Sequence, residues 1–281
     1  MNNNKLGYLY EDFKFFYIKD HKKLDFDYHH HDFNKIVILL EGDLTYVVEG
    51  KNYVLNPWDI LLVGANQIHK PITNPNKPYE RIIFWLNPKD KRLLNCFDLS
   101  IKNKVNVIRP SMSDVNTIKS ILLDMKNCQS STEFASDLLT ESLFIQFMVY
   151  LNRLFLSDTY LSNNLIATYD KTIEFVINFI DNNLNQKLTI DDIASSCFVS
   201  KYYLMRKFKS TMGISIHNYI INKRIVLAKD LISEGIPLNE VSLKCGFNDY
   251  STFVRAFKKI YNLSPSQYNF KSNSLDFEIY E

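Results

Sequence analysis

From about Phe13 to Leu86 the apolar residues either alternate with polar ones or gather in short runs, and turn residues punctuate them. KIVILL (35–40) is followed by Glu41-Gly42-Asp43, LTYVVE (44–49), Gly50-Lys51 and NYVL (52–55). After Asn56-Pro57 come WDILLV (58–63), HKPIT (69–73) and YERIIFWL (79–86). Many short strands separated by Gly, Asn and Pro predict an antiparallel barrel or sandwich, with 35–40 and 44–49 as its firmest pair. Beyond Pro110 the period changes, and residues 114–126 and 134–156 read as helices. In the second, Leu138, Leu139, Leu143, Phe147, Leu151, Leu154 and Phe155 recur at helical spacing. That stripe is wide for a surface helix. Leu139, Leu143, Phe147, Leu151 and Leu154 are therefore expected to face a second copy of the chain, with a place in the core of their own subunit as the alternative. The polar stretch 158–165 reads as a linker, and from Asp170 onward the pattern is helical with short turns.

The helical half repeats itself. SKYYLMRKFKSTMGISIHNY (200–219) is echoed 49 residues later by DYSTFVRAFKKIYNLSPSQY (249–268), aligning Arg206 with Arg255, Phe208 with Phe257, Lys209 with Lys258, Ser215 with Ser264 and Tyr219 with Tyr268. Upstream, LTIDDIASSC (188–197) resembles PLNEVSLKC (237–245) at an offset of 48, so the second turn is one residue longer. Each unit is a helix, a turn of three or four residues and a second helix, the helix-turn-helix plan. Thr189 and Asn239 are suited to cap the first helices.

Leu204, Phe208, Phe253 and Phe257 are the core anchors of the second helices. The opposite stripe carries Tyr202, Met205 and Arg206 in one unit and Tyr250, Ser251, Val254 and Arg255 in the other, the candidates for reading bases. Arg can bond guanine with two hydrogen bonds, and Val or Met can touch a thymine methyl. Ser200, Lys201, Lys209, Lys258 and Lys259 are candidates for phosphate. Between the units, residues 215–233 form a helical pattern of 19 residues, about 28 Å long at ~1.5 Å per residue. With the flanking helices this approaches the ~34 Å between successive major-groove openings on one face of DNA. Double-stranded DNA is the expected partner.

Charge distribution agrees. Residues 170–271 hold 14 Lys/Arg against 9 Asp/Glu, whereas residues 1–169 are balanced and 272–281 form an acidic tail. The four cysteines form no CxxC pair and no zinc-like spacing, and Cys197 and Cys245 read as small core residues. No apolar run approaches the ~18 residues of a membrane span and no signal-peptide core precedes the first strand, so a cytoplasmic location is expected.

On "IASSCFVSKYYLMRKFKSTMG", "RIVLAKDLI" and "VSLKCGFNDYSTFVRAFKKIYNLSPSQY", the 171–270 segment resembles the DNA-binding domain of the AraC/XylS family of bacterial transcription regulators. It departs from the pattern at Phe198 and at Asn262, where glycine is common. "YHHHDFNKIVILLEGDLTYVVEGKNYVLNPWDILLVGANQIHK" is similar to the cupin-like sensor barrel that often precedes that domain. The resemblance implies an α+β multidomain chain. A cupin-like antiparallel barrel (1–110) precedes a helical dimerisation and linker region (111–169). An all-α domain (170–271) follows, with helix-turn-helix units at about 189–211 and 238–261. It implies a sequence-specific regulator, more often an activator, acting as a homodimer with RNA polymerase as protein partner and not as an enzyme.

Metal-dependent cupins use a His-x-His, a carboxylate and a later His. His29, His31 and His69 could fill the histidine places, but Lys35 stands where the acid belongs, so no metal and no cofactor is expected. His31, Lys35, Trp58, His69, Arg81 and Trp85 are the candidate lining of a small-molecule pocket. A buried Lys35 needs a partner, either Glu41 or Asp59 within the chain or an anionic effector. The alternatives to a ligand-sensing regulator are a metal-dependent cupin enzyme with a DNA-binding module, and an effector-independent regulator controlled by protein partners.

Overall fold

The computed structural model describes residues 12–20, 26–129, 131–157 and 167–269. The expected linker 158–165 and tail 272–281 lie outside them. The chain divides into two compact units, Met1–Tyr169 and Asp170–Glu281.

Unit one carries β1 (Phe13–Asp20), β2 (Asn34–Glu41), β3 (Leu44–Val48), β4 (Lys51–Leu55), β5 (Ile60–Val63), β6 (His69–Thr73), β7 (Tyr79–Leu86), β8 (Val107–Ile108) and β9 (Ala167–Tyr169). They form two antiparallel sheets, β1-β7-β2-β5-β8 and β6-β3-β4-β9, and not a barrel closed by continuous hydrogen bonding. Helices α1 (Asn95–Asn103), α2 (Met112–Gln129) and α3 (Ser136–Leu156) cover the outer face of the larger sheet.

The pairing expected of 35–40 with 44–49 is corrected by this topology. β2 lies between β5 and β7, while β3 pairs β4 and β6. The chain therefore passes from one sheet to the other at Gly42. There φ is +121°, and a β-carbon would fall on the Pro78 carbonyl oxygen. The true tight hairpin is β3–β4, turned by Glu49 and Gly50 at φ +47° and +76°, the two positive values a two-residue hairpin of matching twist requires.

From Ile36 to Leu40 β2 is apolar without interruption because both its faces are covered. Ile36 and Ile38 point to the helices, packing with Ile60, Leu62, Phe84, Phe147 and Leu151. Val37 and Leu39 point between the sheets, packing with Leu44, Tyr46, Val48, Leu61 and Val63. By the same alternation Lys35 belongs to the inter-sheet side.

The stripe expected to dimerise is largely core. Phe147, Leu151 and Leu154 are buried within the chain and Leu143 packs against them, leaving Leu139 exposed. Two covered faces, not one, explain the width of the stripe. The solvent face of α3 presents Leu138, Ile145, Val149 and Leu156 instead.

Unit two contains α4 (Lys171–Asn182), α5 (Ile190–Ser196), α6 (Lys201–Met212), α7 (Ile216–Ser233), α8 (Leu238–Lys244) and α9 (Tyr250–Tyr261). Side chains of Asp170, Thr189, Ser200, Ser215 and Asp249 cap α4, α5, α6, α7 and α9. The expected cap at Asn239 does not form: α8 starts after Pro237 with no side-chain cap, and Asn239 lies inside the helix. The helix-turn-helix turns are four and five residues, 197–200 and 245–249, longer than read from sequence by one each. Cys245 is core, and Cys197 is half-exposed.

Candidate nucleic-acid interface and sensor pocket

The repeated sequence is repeated geometry. Phe208 meets Tyr219 edge-on with centroids 5.5 Å apart, and Phe257 meets Tyr268 edge-on at 5.6 Å. Leu204, Phe208, Phe253 and Phe257 are all fully buried. The aromatic part of the echo is therefore core, and it fixes the rotation of α6 and α9. Fixing that rotation turns the other stripe outward. Tyr202 is 85% exposed, Met205 40% and Tyr250 44%; Arg206, Ser251 and Arg255 are exposed, and Val254 is half-buried against the core.

Each helix ends one turn beyond its basic residues in the left-handed region, at Gly213 (φ +72°) and Asn262 (φ +58°). The exposed Arg206, Lys209, Lys258 and Lys259 make no ion pair among the described residues. Lys201, in contrast, is tied to Asp191 at 2.7 Å, and the Ser200 hydroxyl accepts from the Tyr203 amide. Arg255 lies along its own helix, donating to the Ser251 carbonyl (3.4 Å) and the Thr252 hydroxyl (3.2 Å). Lys207 turns back to Asp170 at 2.8 Å and stays off the outward stripe. Arg224 of α7 donates to the carbonyls of Leu184 and Gln186, anchoring α7 to the loop before α5. Such a surface, a polar and aromatic head followed by free cations, suits a major groove.

In unit one the structure gathers most of the pocket candidates at one end of the space between the sheets. His29 and His69 exchange backbone hydrogen bonds. Ring centroids of His69 lie 4.2 Å from His29 and 4.7 Å from His31. Lys35 Nζ donates to the Tyr46 hydroxyl at 3.2 Å. Burial, with Arg81 adding repulsion, lowers the Lys35 ammonium to about 8. Burial, then the charge of Lys35, holds His31 and His69 well below the usual imidazole range. Arg81 is buried, paired with Asp20 and stacked 4.0 Å over the Tyr79 ring. Trp85 reaches the group through Phe33, whose ring also stacks on His31.

Trp58 does not belong here. It packs with the helix-side core, with Lys119 over its ring at 5.9 Å. Tyr46 does belong and was not among the sequence candidates, and His29, considered from sequence only for a metal place, belongs too. Alternation from Leu44 to Val48 would have placed Tyr46 on the inter-sheet side. Neither internal partner considered for Lys35 reaches it: Glu41 pairs Lys19, and Asp59 pairs Arg109. Among the described residues no carboxylate completes the histidine trio, and no group of three or more His, Cys, Asp or Glu is arranged to hold a metal ion. The donor set does not fit a metallo-cupin.

A sensor-type double sheet and a twin helix-turn-helix unit define a ligand-sensing, DNA-binding transcriptional regulator. Residues 14–148 match the AraC-like ligand binding domain and residues 193–270 match a helix-turn-helix domain. The chain belongs to the AraC family of transcription regulators. It is 28% identical to the probable transcriptional regulator LumQ of Photobacterium leiognathi, over 86% of this chain and 92% of that protein. It is 22% identical to the transcriptional activator RhaS of Shigella sonnei, over 86% of each. It is 24% identical to the lactose operon transcription activator of Staphylococcus xylosus, over 82% of this chain and 81% of that one. No helix among the described residues is long and apolar enough to cross a membrane.

Proposed function

We propose that the chain is a homodimeric activator that reads two adjacent major grooves with α6 and α9 and answers to a small molecule held between the sheets of its sensor domain. The observation that carries the DNA reading is the matched pair of outward faces, Arg206 over Arg255 and Lys209 over Lys258, set by matched Phe–Tyr contacts behind them. Arg206 and Arg255 reach base edges, with Tyr202, Met205, Tyr250 and Ser251 beside them. Lys209, Lys258 and Lys259 meet phosphate. Ser200 and Lys201 act at the N-terminus of α6, where free amides favour a phosphate; Lys201 must first trade its bond to Asp191. α7, with 18 residues, is about 27 Å long and serves as the spacer. The relatives RhaS and the lactose operon protein are named as activators, which supports activation and RNA polymerase as the partner.

The test is quantitative DNA binding. Arg206→Ala and Arg255→Ala each cost about 1–3 kcal/mol on the true operator and relax sequence preference at their own positions. Lys209→Ala and Lys258→Ala weaken all DNA alike and flatten the salt dependence by about one unit of slope each. Arginine variants with unchanged affinity and unchanged preference would remove the assignment.

A further inference from the structure

The histidine cluster carries more than a location. The Nδ1 atoms of His29, His31 and His69 lie 2.8, 2.6 and 2.9 Å from the main-chain carbonyl oxygens of Asp27, Phe33 and Gln67. A carbonyl can only accept, so each Nδ1 carries the hydrogen, and in the neutral ring each Nε2 keeps a bare lone pair. Nε2 of His31 and Nε2 of His69 are buried without any hydrogen-bond partner among the described residues. Leaving such a group unsatisfied is costly. Beside them stands Lys35, an ammonium whose bonded neighbour is the Tyr46 hydroxyl and not a carboxylate.

The charged groups around the cluster do not repair this. From β7, Arg81 repels Lys35 and spends its own charge on Asp20 of β1. From β3, Tyr46 is held neutral by burial, as is Tyr79 of β7. Glu49 accepts from the Ile68 amide, and its charge and that of Asp32 act on His30. Asp27 acts on His29. His31 and His69 feel Lys35 and other histidines, and no acid.

We propose that this cluster binds a small oxyanion, a carboxylate or a phosphate, together with protons from solvent: Lys35 Nζ donates to the anion, and His31 and His69 donate from Nε2 once protonated there. An oxyanion oxygen brings lone pairs, and a lone pair on Nε2 repels it. A carboxylate can therefore dock against an imidazole only if a proton enters with it, whereas a hydrogen phosphate can bring that proton on its own hydroxyl. One proton is taken up per imidazole that turns to the ligand, giving Nε2–H···O; near pH 8 Lys35 also takes up the fraction of a proton it lacks, and no other bond forms or breaks. A neutral polyol could satisfy the lone pairs but would leave the Lys35 charge unmet. This inference rests on reading the cluster as the effector site.

The experiment is titration calorimetry of the full chain with inorganic phosphate, acetate and benzoate, and in parallel with glycerol and glucose. Each is measured at about pH 6 and about pH 8, the range a histidine switch spans, in two buffers of different ionisation enthalpy. An oxyanion should bind with net proton uptake, smaller for phosphate, which carries a proton of its own, and with an affinity that rises on acidification by up to about tenfold per pH unit for each proton taken up. Lys35→Met should abolish binding, and Lys35→Arg should keep it and so exclude misfolding as the cause. In His69→Gln and His31→Gln proton uptake should fall. Binding of a neutral probe that survives Lys35→Met overturns the oxyanion and leaves the sensor reading standing. Oxyanion binding unchanged in Lys35→Met overturns the site. Binding of no probe overturns both.

Discussion

Phe198 and Gly246 occupy the same place in the two helix-turn-helix turns, and both lie in the left-handed region, at φ +56° and +73°. Their hydrogen bonds correspond: Phe198 and Gly246 amides donate to Ser195 and Leu243, and the next amides, Val199 and Phe247, donate to Ala194 and Ser242. The surroundings differ. Phe198 is 96% exposed, whereas a β-carbon on Gly246 would fall on the Leu184 carbonyl and the Arg224 guanidinium. Strain of about 1–2 kcal/mol is the usual cost of a β-carbon in this region. Phe198→Gly should therefore stabilise the domain, by roughly 1 kcal/mol after the added freedom of the unfolded chain is subtracted. Gly246→Ala should destabilise it by clearly more than that strain alone, because backbone and Arg224 must also move. Urea denaturation of the full chain followed by circular dichroism measures both, and equal effects at the two positions would contradict the account. Asn262 needs no such correction, since asparagine tolerates the left-handed cap it forms.

For the elements, the decisive fact is which faces are already covered. α3 buries Phe144, Phe147, Met148, Leu151 and Phe155 in its own unit and exposes Leu138, Ile145, Val149 and Leu156 at intervals of seven, four and seven residues. That spacing keeps four apolar side chains on one side of the helix, and it is where the proposed dimer contact belongs. Ile145→Glu combined with Val149→Glu should give a folded monomer by sedimentation, with weakened binding to a two-site operator. Phe147→Glu should instead unfold the unit, since it places a charge in the core. A double variant that stays dimeric would move the contact elsewhere. At this scale the sequence was legible wherever a covered face coincided with a simple period. The pairs Phe208–Phe257 and Tyr219–Tyr268 announced the repeat. The sheet transfer at Gly42 was not legible, because two apolar runs joined by a short glycine turn read the same whether they pair or part.

Across the molecule, both tryptophans, Trp58 and Trp85, lie in the sensor unit, so their fluorescence reports its unfolding separately from the helical domain. Burial lowers the proton affinity of His31, His69 and Lys35 in the folded state. The unfolded chain therefore binds protons that the folded unit refuses, and stability rises with pH across each window. For the histidines it is fully present above about 6.5, the unperturbed imidazole value, and is lost as pH falls below that. For Lys35 it is gained between about 8 and the ordinary lysine value of 10.5. Fluorescence-monitored denaturation should show a gain on raising pH through the upper window that Lys35→Met lacks. An identical pH profile in the variant would mean that Lys35 is not held in a desolvating site.

The sequence by itself determined the two-unit plan, the family and the outward face of each recognition helix. These rest on local periodicity and on an echo, and such patterns survive without knowledge of what packs where. Tertiary structure alone decided that β2 and β3 belong to different sheets, that the α3 stripe faces inward, and that Glu41 and Asp59 are spent on Lys19 and Arg109. It also brought His31 and Lys35 to His69 from across the inter-sheet space. Pairings of that kind join residues far apart along the chain, and only the choice of sheet partners determines which charges and lone pairs find each other and which are left to a ligand.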